Sequence, residues 1–303
     1  MSAPSPADPH RAPAKEASGI LWVLTQTAMF AFIFTAGKLL DGSVHAIQIM
    51  FVRYLSGFVT MVVVAQAYGG VWRYRSPRPW RHVLRAGLGA CGGVSAFYAA
   101  TYMPIADAAA IGLLKGMLVV ILAVLLLREA VTGQHWLAAA LCAAGGFVVI
   151  WGKGAGLDFG GYGTAAGIAV LGAGAMAMET ICIRVLAASE PPITLTMYVS
   201  GLGSLILLTP AVLVWEALSW PALLFLVGLG PIAVLGQYFN VRGYQIAPAS
   251  LLAPVGYANV IFAAAWGYLL FTEVPGLMTW IGSALIVAGG VWLSRLPTAK
   301  SLS

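Results

Sequence analysis

Residues 104–146 read PIADAAAIGLLKGMLVVILAVLLLREAVTGQHWLAAALCAAGG, and residues 248–290 read PASLLAPVGYANVIFAAAWGYLLFTEVPGLMTWIGSALIVAGG. At an offset of 144 residues the two segments align without a gap, and they share the first proline, one glutamate, one tryptophan and the closing pair of glycines. Chance matching of apolar sequence rarely places four such different residue types in one register. The alignment therefore indicates an internal repeat.

The composition of the chain indicates whether its surface faces water or lipid. Of 303 residues, 60% are hydrophobic and 9% are charged, whereas soluble domains carry roughly 25% charged residues. So few charges cannot cover a soluble particle, but a surface that faces lipid needs none. The chain is therefore expected to be an integral membrane protein. Its net charge of +6 is spread along the chain, which argues against a nucleic-acid-binding domain, and its three cysteines lack the spacing of a metal site or a disulfide framework.

Ten apolar segments, separated by charged or turn-forming residues, predict ten transmembrane helices. They are residues 19–37, 46–67, 83–102, 105–127, 136–151, 162–186, 194–215, 222–241, 249–271 and 277–293. The repeat offset covers five of them, and an odd number of crossings gives the second copy the opposite orientation in the membrane. The predicted fold class is an all-α membrane protein with ten transmembrane helices in two inverted five-helix repeats. Pro231 and Pro254 fall inside predicted spans and are expected to kink them.

The repeats are assigned to residues 19–152 and 160–294. They are flanked by a disordered cytoplasmic N-terminal segment, residues 1–18, and a cytoplasmic tail, residues 295–303. The orientation follows from the basic residues, which concentrate in cytoplasmic loops. The cytoplasmic side receives Arg11, Lys15, Arg73, Arg75, Arg78, Arg81, Arg85, Arg128, Arg184, Arg242, Arg295 and Lys300, and the other side receives Lys38 and Lys153. Both termini are then cytoplasmic.

Three charged residues lie inside predicted spans: Arg53 in the second, Lys115 in the fourth and Glu179 in the sixth. A charge at the centre of a bilayer costs about 2.5 to 3.5 kcal/mol on insertion scales, so such residues normally face a bundle interior or a cavity. Arg53 and Lys115 are candidate ligands for an anionic group, and Glu179 is a candidate ligand for an amine or a coupling proton. In the structural alternative, each cation pairs with a carboxylate or with helix-end carbonyls, and Glu179 pairs with Arg53, Lys115 or Arg184.

Uncharged polar residues extend the candidate substrate site. Lys115 aligns with Asn259 at the repeat offset, so both copies place a polar side chain at the same depth. Asp107, one turn after Pro104, is interpreted as a helix cap. The uncharged candidates for the substrate path are Gln26, Tyr98, Gln237, Tyr238, Asn240, Tyr257 and Asn259.

Seven short motifs carry a family resemblance. They are IMFVRY at 49–54, YMPIADA at 102–108, LLLRE at 125–129, AAGG at 143–146, YQIAPAS at 244–250, LLFTE at 269–273 and AGG at 288–290. The chain resembles the drug/metabolite transporter superfamily, in its ten-helix EamA-type branch, from Gly19 to Arg295. The resemblance implies export or uptake of small organic solutes by alternating access, without ATP. Phe-Thr-Glu at 271–273 departs from the more usual Leu-Gly-Glu of the family.

The leading hypothesis is a secondary active transporter of a small organic metabolite, such as an amino acid or another anionic or zwitterionic solute, in a bacterial inner membrane. Its expected partners are a small-molecule substrate, the lipid bilayer and a coupling proton, with no cofactor, metal or nucleic acid. A lipid-linked carrier flippase of the same fold is the alternative. An enzyme is not predicted, because the sequence contains no H-E-x-x-H, G-x-S-x-G or G-x-x-x-x-G-K-[ST] motif.

Overall fold

The computed structural model describes residues 11–40, 44–102, 111–112, 114–129, 131–152, 163–272 and 276–296, and these ranges contain helices and turns but no β-strand. Their longer helices are α1 (Arg11–Phe34), α2 (Ala46–Ala67), α3 (Pro79–Tyr102), α4 (Leu114–Leu127), α5 (Gly133–Gly152), α6 (Gly163–Ala187), α7 (Pro192–Leu213), α8 (Trp220–Ile246), α9 (Asn259–Phe271) and α10 (Leu277–Arg295). Four shorter helical segments, two of them 3₁₀, are Ala36–Leu39, Val71–Tyr74, Ala249–Leu252 and Pro254–Ala258. The expectation of an all-α protein is confirmed for the described residues.

Five described segments are long and apolar enough to cross a membrane. They are Ile47–Ala67, Gly167–Ala187, Pro192–Leu213, Trp220–Ile246 and Ala249–Leu270. Three further apolar helical stretches are shorter, namely Ala17–Ile33, Leu114–Leu127 and Trp280–Trp292. Many large apolar side chains on these helices are exposed, among them Leu21, Val63 and Leu171. An exposed apolar surface of this extent is suited to lipid.

The N-terminal helix begins earlier than expected. Residues 11–18, predicted to be disordered, are helical and continue into the apolar part of α1. Alanines, a lysine and a glutamate fill this stretch, and these residue types have high helix propensity. Residues 1–10 of the predicted disordered segment lie outside the described residues, as do Pro104, Asp107 and Glu273.

The predicted span at residues 249–271 is not one continuous helix. It consists of the short helix Ala249–Leu252, the 3₁₀ segment Pro254–Ala258 and then α9. Pro254 has no backbone N–H and cannot continue the ladder of the preceding turn. Ala249–Leu270 as a whole is still long and apolar enough to cross a membrane, and the change to 3₁₀ geometry falls at Pro254, where the sequence predicts a kink.

Helix packing is symmetric with respect to an exchange of the two halves of the chain. The principal pairs are α1–α8 and α3–α6, α2–α8 and α3–α7, α1–α9 and α4–α6, α2–α7, and α5–α10. When each of the helices α1 to α5 is exchanged with the helix five positions later, α6 to α10, the same set of pairs results. For example, α3–α6 becomes α8–α1, and both α2–α7 and α5–α10 become themselves.

The α5–α10 interface pairs residues that the repeat offset makes equivalent. Cys142 Sγ lies 3.6 Å from the carbonyl oxygen of Ile286, its own counterpart 144 residues later. A Cβ placed on Gly145 would lie 2.6 Å from the Gly282 carbonyl oxygen, and one placed on Gly289 would lie 2.6 Å from Cys142 Sγ. Residue numbers that rise along α5 meet numbers that fall along α10, so the two helices run antiparallel. Glycine is needed at both close approaches.

Gly289→Ala is expected to lower the free energy of unfolding by about 1–3 kcal/mol, because the added methyl group has no room against α5. Thermal unfolding in detergent measures the change. Gly290→Ala is the matched control, since nothing lies within 4 Å of a Cβ at Gly290. Equal thermal midpoints for the two variants would contradict the tight interface.

Candidate functional site

Arg85 of α3 is the most deeply buried charged side chain among the described residues, with 0% of its surface exposed. Its Nη1 donates to the Leu195 carbonyl oxygen of α7 at 2.9 Å, and its Nη2 donates to Gln237 Oε1 of α8 at 3.2 Å. Its Nε lies 3.8 Å from Glu179 Oε1 of α6 and has no hydrogen-bond partner among the described residues. One guanidinium group thus joins α3 to three helices of the other half of the chain.

Glu179 fits beside Arg85 because α3 carries a glycine at the point of contact. A Cβ on Gly89 would lie 3.1 Å from Glu179 Cδ, so the absence of a side chain there leaves room for the carboxylate. The Glu179 side chain keeps 13% of its surface exposed. Lys115 of α4 also interacts electrostatically with Glu179. The Glu179 carboxylate therefore lies beside Arg85, and its charge also acts on Lys115.

Arg53 of α2 is the second deeply buried arginine, with 8% of its surface exposed. Its guanidinium carbon lies 4.4 Å from the centre of the Tyr54 ring and 6.0 Å from that of Phe30. Tyr54 also interacts electrostatically with Arg85. Within the described ranges Arg53 forms no salt bridge and its guanidinium makes no hydrogen bond. Its charge is stabilised by aromatic faces and remains available to an anion.

The structure corrects two sequence-based expectations about these charges. In the structural alternative the partner of Glu179 was Arg53, Lys115 or Arg184, but its salt bridge among the described residues is to Arg85. Arg85 was counted among the residues that orient the chain, whereas it lies inside the helix bundle. One signal was present in the sequence, because Arg85 falls within the apolar segment at residues 83–102.

Most of the other predicted site residues are not joined to Arg53, Arg85 and Glu179, which we call the charged cluster, by any contact among the described residues. The described residues provide no hydrogen bond or ion pair between the cluster and Gln26, Tyr238, Asn240 or Asn259. Tyr98 of α3 is 37% exposed. Tyr257 is buried against Gly116, the neighbour of Lys115 on α4.

A second polar group, which we term the Glu129 cluster, closes one end of the bundle. The Glu129 carboxylate accepts hydrogen bonds from the backbone N–H groups of Ala249 at 3.0 Å and Ser250 at 2.9 Å, and from Ser250 Oγ at 2.6 Å. Arg184 Nε lies 3.8 Å from Glu129 Oε1, and Arg184 Nη1 donates to the Tyr244 carbonyl oxygen. Glu129 thus caps the short helix that precedes Pro254 and links the ends of α4, α6 and α8.

A neighbouring group, the Glu190 cluster, is also buried. Ser76 Oγ donates to Glu190 Oε1 at 2.8 Å, and His82 Nε2 lies 2.9 Å from Glu190 Oε2. The Glu190 carbonyl oxygen accepts from Gln245 Nε2 at 3.2 Å, and the His82 ring stacks on Tyr198 with 4.4 Å between centroids. Because Tyr244 and Gln245 are adjacent on α8, both clusters hold the C-terminal end of that helix.

The described ranges contain no group of three or more His, Cys, Asp or Glu side chains that could hold a metal ion. The absence of a metal site remains a prediction from the sequence. Charged interior groups in a bundle of apolar helices are typical of a membrane transport protein.

The family is shown by the sequence comparisons. The model of the EamA-like transporter family matches residues 17–151 and, separately, residues 164–295. The chain therefore belongs to the EamA-like transporter family, and it is a membrane transporter rather than an enzyme.

Relatives with named functions match over most of their length. A pseudopaline exporter of Pseudomonas aeruginosa is 26% identical, over 92% of this chain and 96% of the exporter. An S-adenosylmethionine uptake transporter of Rickettsia prowazekii is 24% identical, over 91% of this chain and 92% of that protein. A riboflavin transporter of Brucella anthropi is 27% identical, over 73% of this chain and 78% of that transporter. The crystal structure of another protein has the same fold, with a TM-score of 0.78 and 19% sequence identity. The match covers 94% of this chain and 99% of the chain in that crystal structure.

Proposed function

We propose that the protein is a secondary active transporter of a small organic metabolite that carries an anionic or zwitterionic group. The observation that carries the proposal is Arg53, a buried guanidinium whose only described partners are the rings of Tyr54 and Phe30. A buried cation without a carboxylate partner is costly, and an anionic ligand offsets that cost. The names of the relatives, which transport pseudopaline, S-adenosylmethionine and riboflavin, support a small-metabolite substrate.

An amino-acid-like substrate matches the charges on both sides of the site. Its carboxylate would bind Arg53, with Lys115 adding positive charge, and its ammonium group would bind Glu179. Glu179 retains some exposure and contacts Arg85 at 3.8 Å, longer than a direct hydrogen bond, so its carboxylate keeps acceptor capacity for an amine. The same carboxylate is our candidate for the coupling proton. Tyr98, Tyr257, Gln26, Tyr238, Asn240 and Asn259 are the proposed lining of the remaining path.

We further propose that the fold is a ten-helix inverted repeat, with units at residues 19–152 and 160–294, in a bacterial inner membrane with both termini cytoplasmic. The two separate matches to one family model support this division. The exchange symmetry of the helix pairs and the antiparallel α5–α10 contact support the inversion. Alternating access would then proceed by movement of one half against the other around the interior charges.

The test is ligand-induced thermal stabilisation of the purified protein. The panel is the twenty L-amino acids, their decarboxylated amines, S-adenosylmethionine, riboflavin and soluble lipid headgroups. We expect stabilisation by compounds that carry a carboxylate and none by the corresponding amines. Arg53→Gln is expected to weaken that binding roughly 10- to 100-fold, because it removes a hydrogen-bonded charge pair worth about 1.5–3 kcal/mol.

Arg73→Gln is the matched control, since Arg73 is exposed and the same charge is removed. Unchanged binding of carboxylates by Arg53→Gln would overturn the role of Arg53. Stabilisation by lipid headgroups alone would overturn the proposal in favour of a lipid-linked carrier flippase. Flux of the best panel compound into proteoliposomes then separates transport from binding.

A further inference from the structure

The amide of Gln237 is oriented by Arg85. A guanidinium group has only donors, so the contact of 3.2 Å from Arg85 Nη2 requires the amide oxygen of Gln237 to face it. The Nε2 amide nitrogen then points away from Arg85. Among the described residues Nε2 has no hydrogen-bond partner, and it is not one of the fully buried polar atoms. The amide therefore keeps two N–H donors that no described residue uses.

Arg85 itself cannot reach a ligand in this conformation. Its side chain is completely buried, its Nη1 is held by the Leu195 carbonyl oxygen, and its Nε faces Glu179. Contacts to three different helices fix the plane of the guanidinium and leave little freedom for rotation. Any influence of Arg85 on a substrate must therefore pass through Gln237 and Glu179.

We propose that Arg85 is a positioning residue that holds Gln237 as a donor-only contact and so selects substrates with an acceptor-rich anionic group. The inference rests on the proposed function and deepens it. An amide normally offers one acceptor and one donor group and recognises neutral as well as charged ligands. With its oxygen occupied by Arg85, Gln237 offers donors alone. Arg53 is also buried, its guanidinium makes no hydrogen bond within the described ranges, and like Gln237 it complements a carboxylate.

The direct test uses the side-chain amide resonance of Gln237 and sodium acetate as the carboxylate probe. The chain has six glutamines, so the protein labelled with [¹⁵N]glutamine and placed in nanodiscs gives few side-chain amide signals. The signal that disappears in Gln237→Glu is assigned to Gln237. We expect acetate to shift the Gln237 NH₂ signal and methylammonium chloride to leave it in place. Gln134, which is exposed, is the internal control for bulk effects. No acetate shift at Gln237 would overturn the inference without any need for a variant.

Two variants then test the link to Arg85. Gln237→Glu retains a partner for Arg85 but replaces the donors by an acceptor, so the acetate dissociation constant is expected to rise at least tenfold while the protein stays folded. Arg85→Gln releases the amide of Gln237, and acetate should then fail to shift its signal; Arg85→Lys, which keeps the charge, should recover part of the effect. An acetate response that is the same in wild type and in folded Arg85→Gln would contradict positioning by Arg85.

The outcomes separate this inference from the proposed function. Carboxylate binding that depends on Arg53 but leaves the Gln237 signal unmoved overturns the role of Arg85 and Gln237 alone. Absence of carboxylate binding in both the panel and the acetate titration overturns the anionic substrate class and this inference together.

Discussion

Glu129→Ala is expected to lower the free energy of unfolding by about 1.5–3 kcal/mol, the net contribution typical of hydrogen bonds to a charged group. The Glu129 carboxylate accepts three hydrogen bonds from Ala249 and Ser250 and lies 3.8 Å from Arg184 Nε. Alanine leaves the first N–H groups of the short helix unsatisfied and removes the counter-charge of Arg184. Chemical unfolding in detergent, followed by tryptophan fluorescence, measures the loss.

Two other variants calibrate this result. Glu129→Gln keeps an amide oxygen that can accept from Ala249 or Ser250 but carries no charge, so its effect should be intermediate. Glu216→Ala removes an exposed carboxylate and is expected to change stability by no more than about 0.5 kcal/mol. If Glu129→Ala were as stable as Glu216→Ala, the cap that Glu129 provides for the helix Ala249–Leu252 would contribute nothing to the free energy of unfolding.

Helix positions could be read from the sequence wherever the membrane and local signals agree. The predicted second span coincides with α2, because His45 precedes it as an N-cap and Gly69 and Gly70, with φ of 112° and 93°, follow it. Pro231 and Pro254 show where such signals stop. The helix α8 continues through Pro231, whereas the segment that begins at Pro254 is a 3₁₀ helix. The short helix before Pro254 receives a side-chain cap from Glu129, 120 residues earlier in the chain, and no local pattern shows that contact.

The candidate site also contains residues that the sequence reveals and one, Arg85, whose role it does not reveal. Arg53, Lys115 and Glu179 could be found because a charge in the middle of an apolar segment is costly and therefore conspicuous. Arg85 lies only two residues inside its apolar segment, where charges commonly serve as orientation signals. Its partners Leu195 and Gln237 are 110 and 152 residues away, so its role depends on helix packing that sequence periodicity does not encode.

A large loss of stability is also expected when the Glu190 cluster is disrupted. Glu190→Ala is expected to cost about 1–3 kcal/mol for each of the two buried donors that lose their acceptor, since Ser76 and His82 both hydrogen-bond the Glu190 carboxylate. His82→Phe is expected to cost less. Phenylalanine can keep the stacking on Tyr198, and it removes Nδ1, a buried nitrogen without a partner in the described part of the chain.

A double-mutant cycle separates the pair from its surroundings. Each single replacement, Glu190→Gln or His82→Phe, leaves one member of the pair without its partner, whereas the double variant leaves neither. The double variant should therefore be more stable than the sum of the single effects predicts, by about 1–3 kcal/mol. His82→Phe combined with Glu216→Gln is the control. Glu216 bonds Gln48 at the start of α2 and Ser76 follows its end, so roughly 33 Å of helix separates the two sites and their effects should add. Additivity in both cycles would mean that the contact of 2.9 Å between His82 and Glu190 contributes no stability.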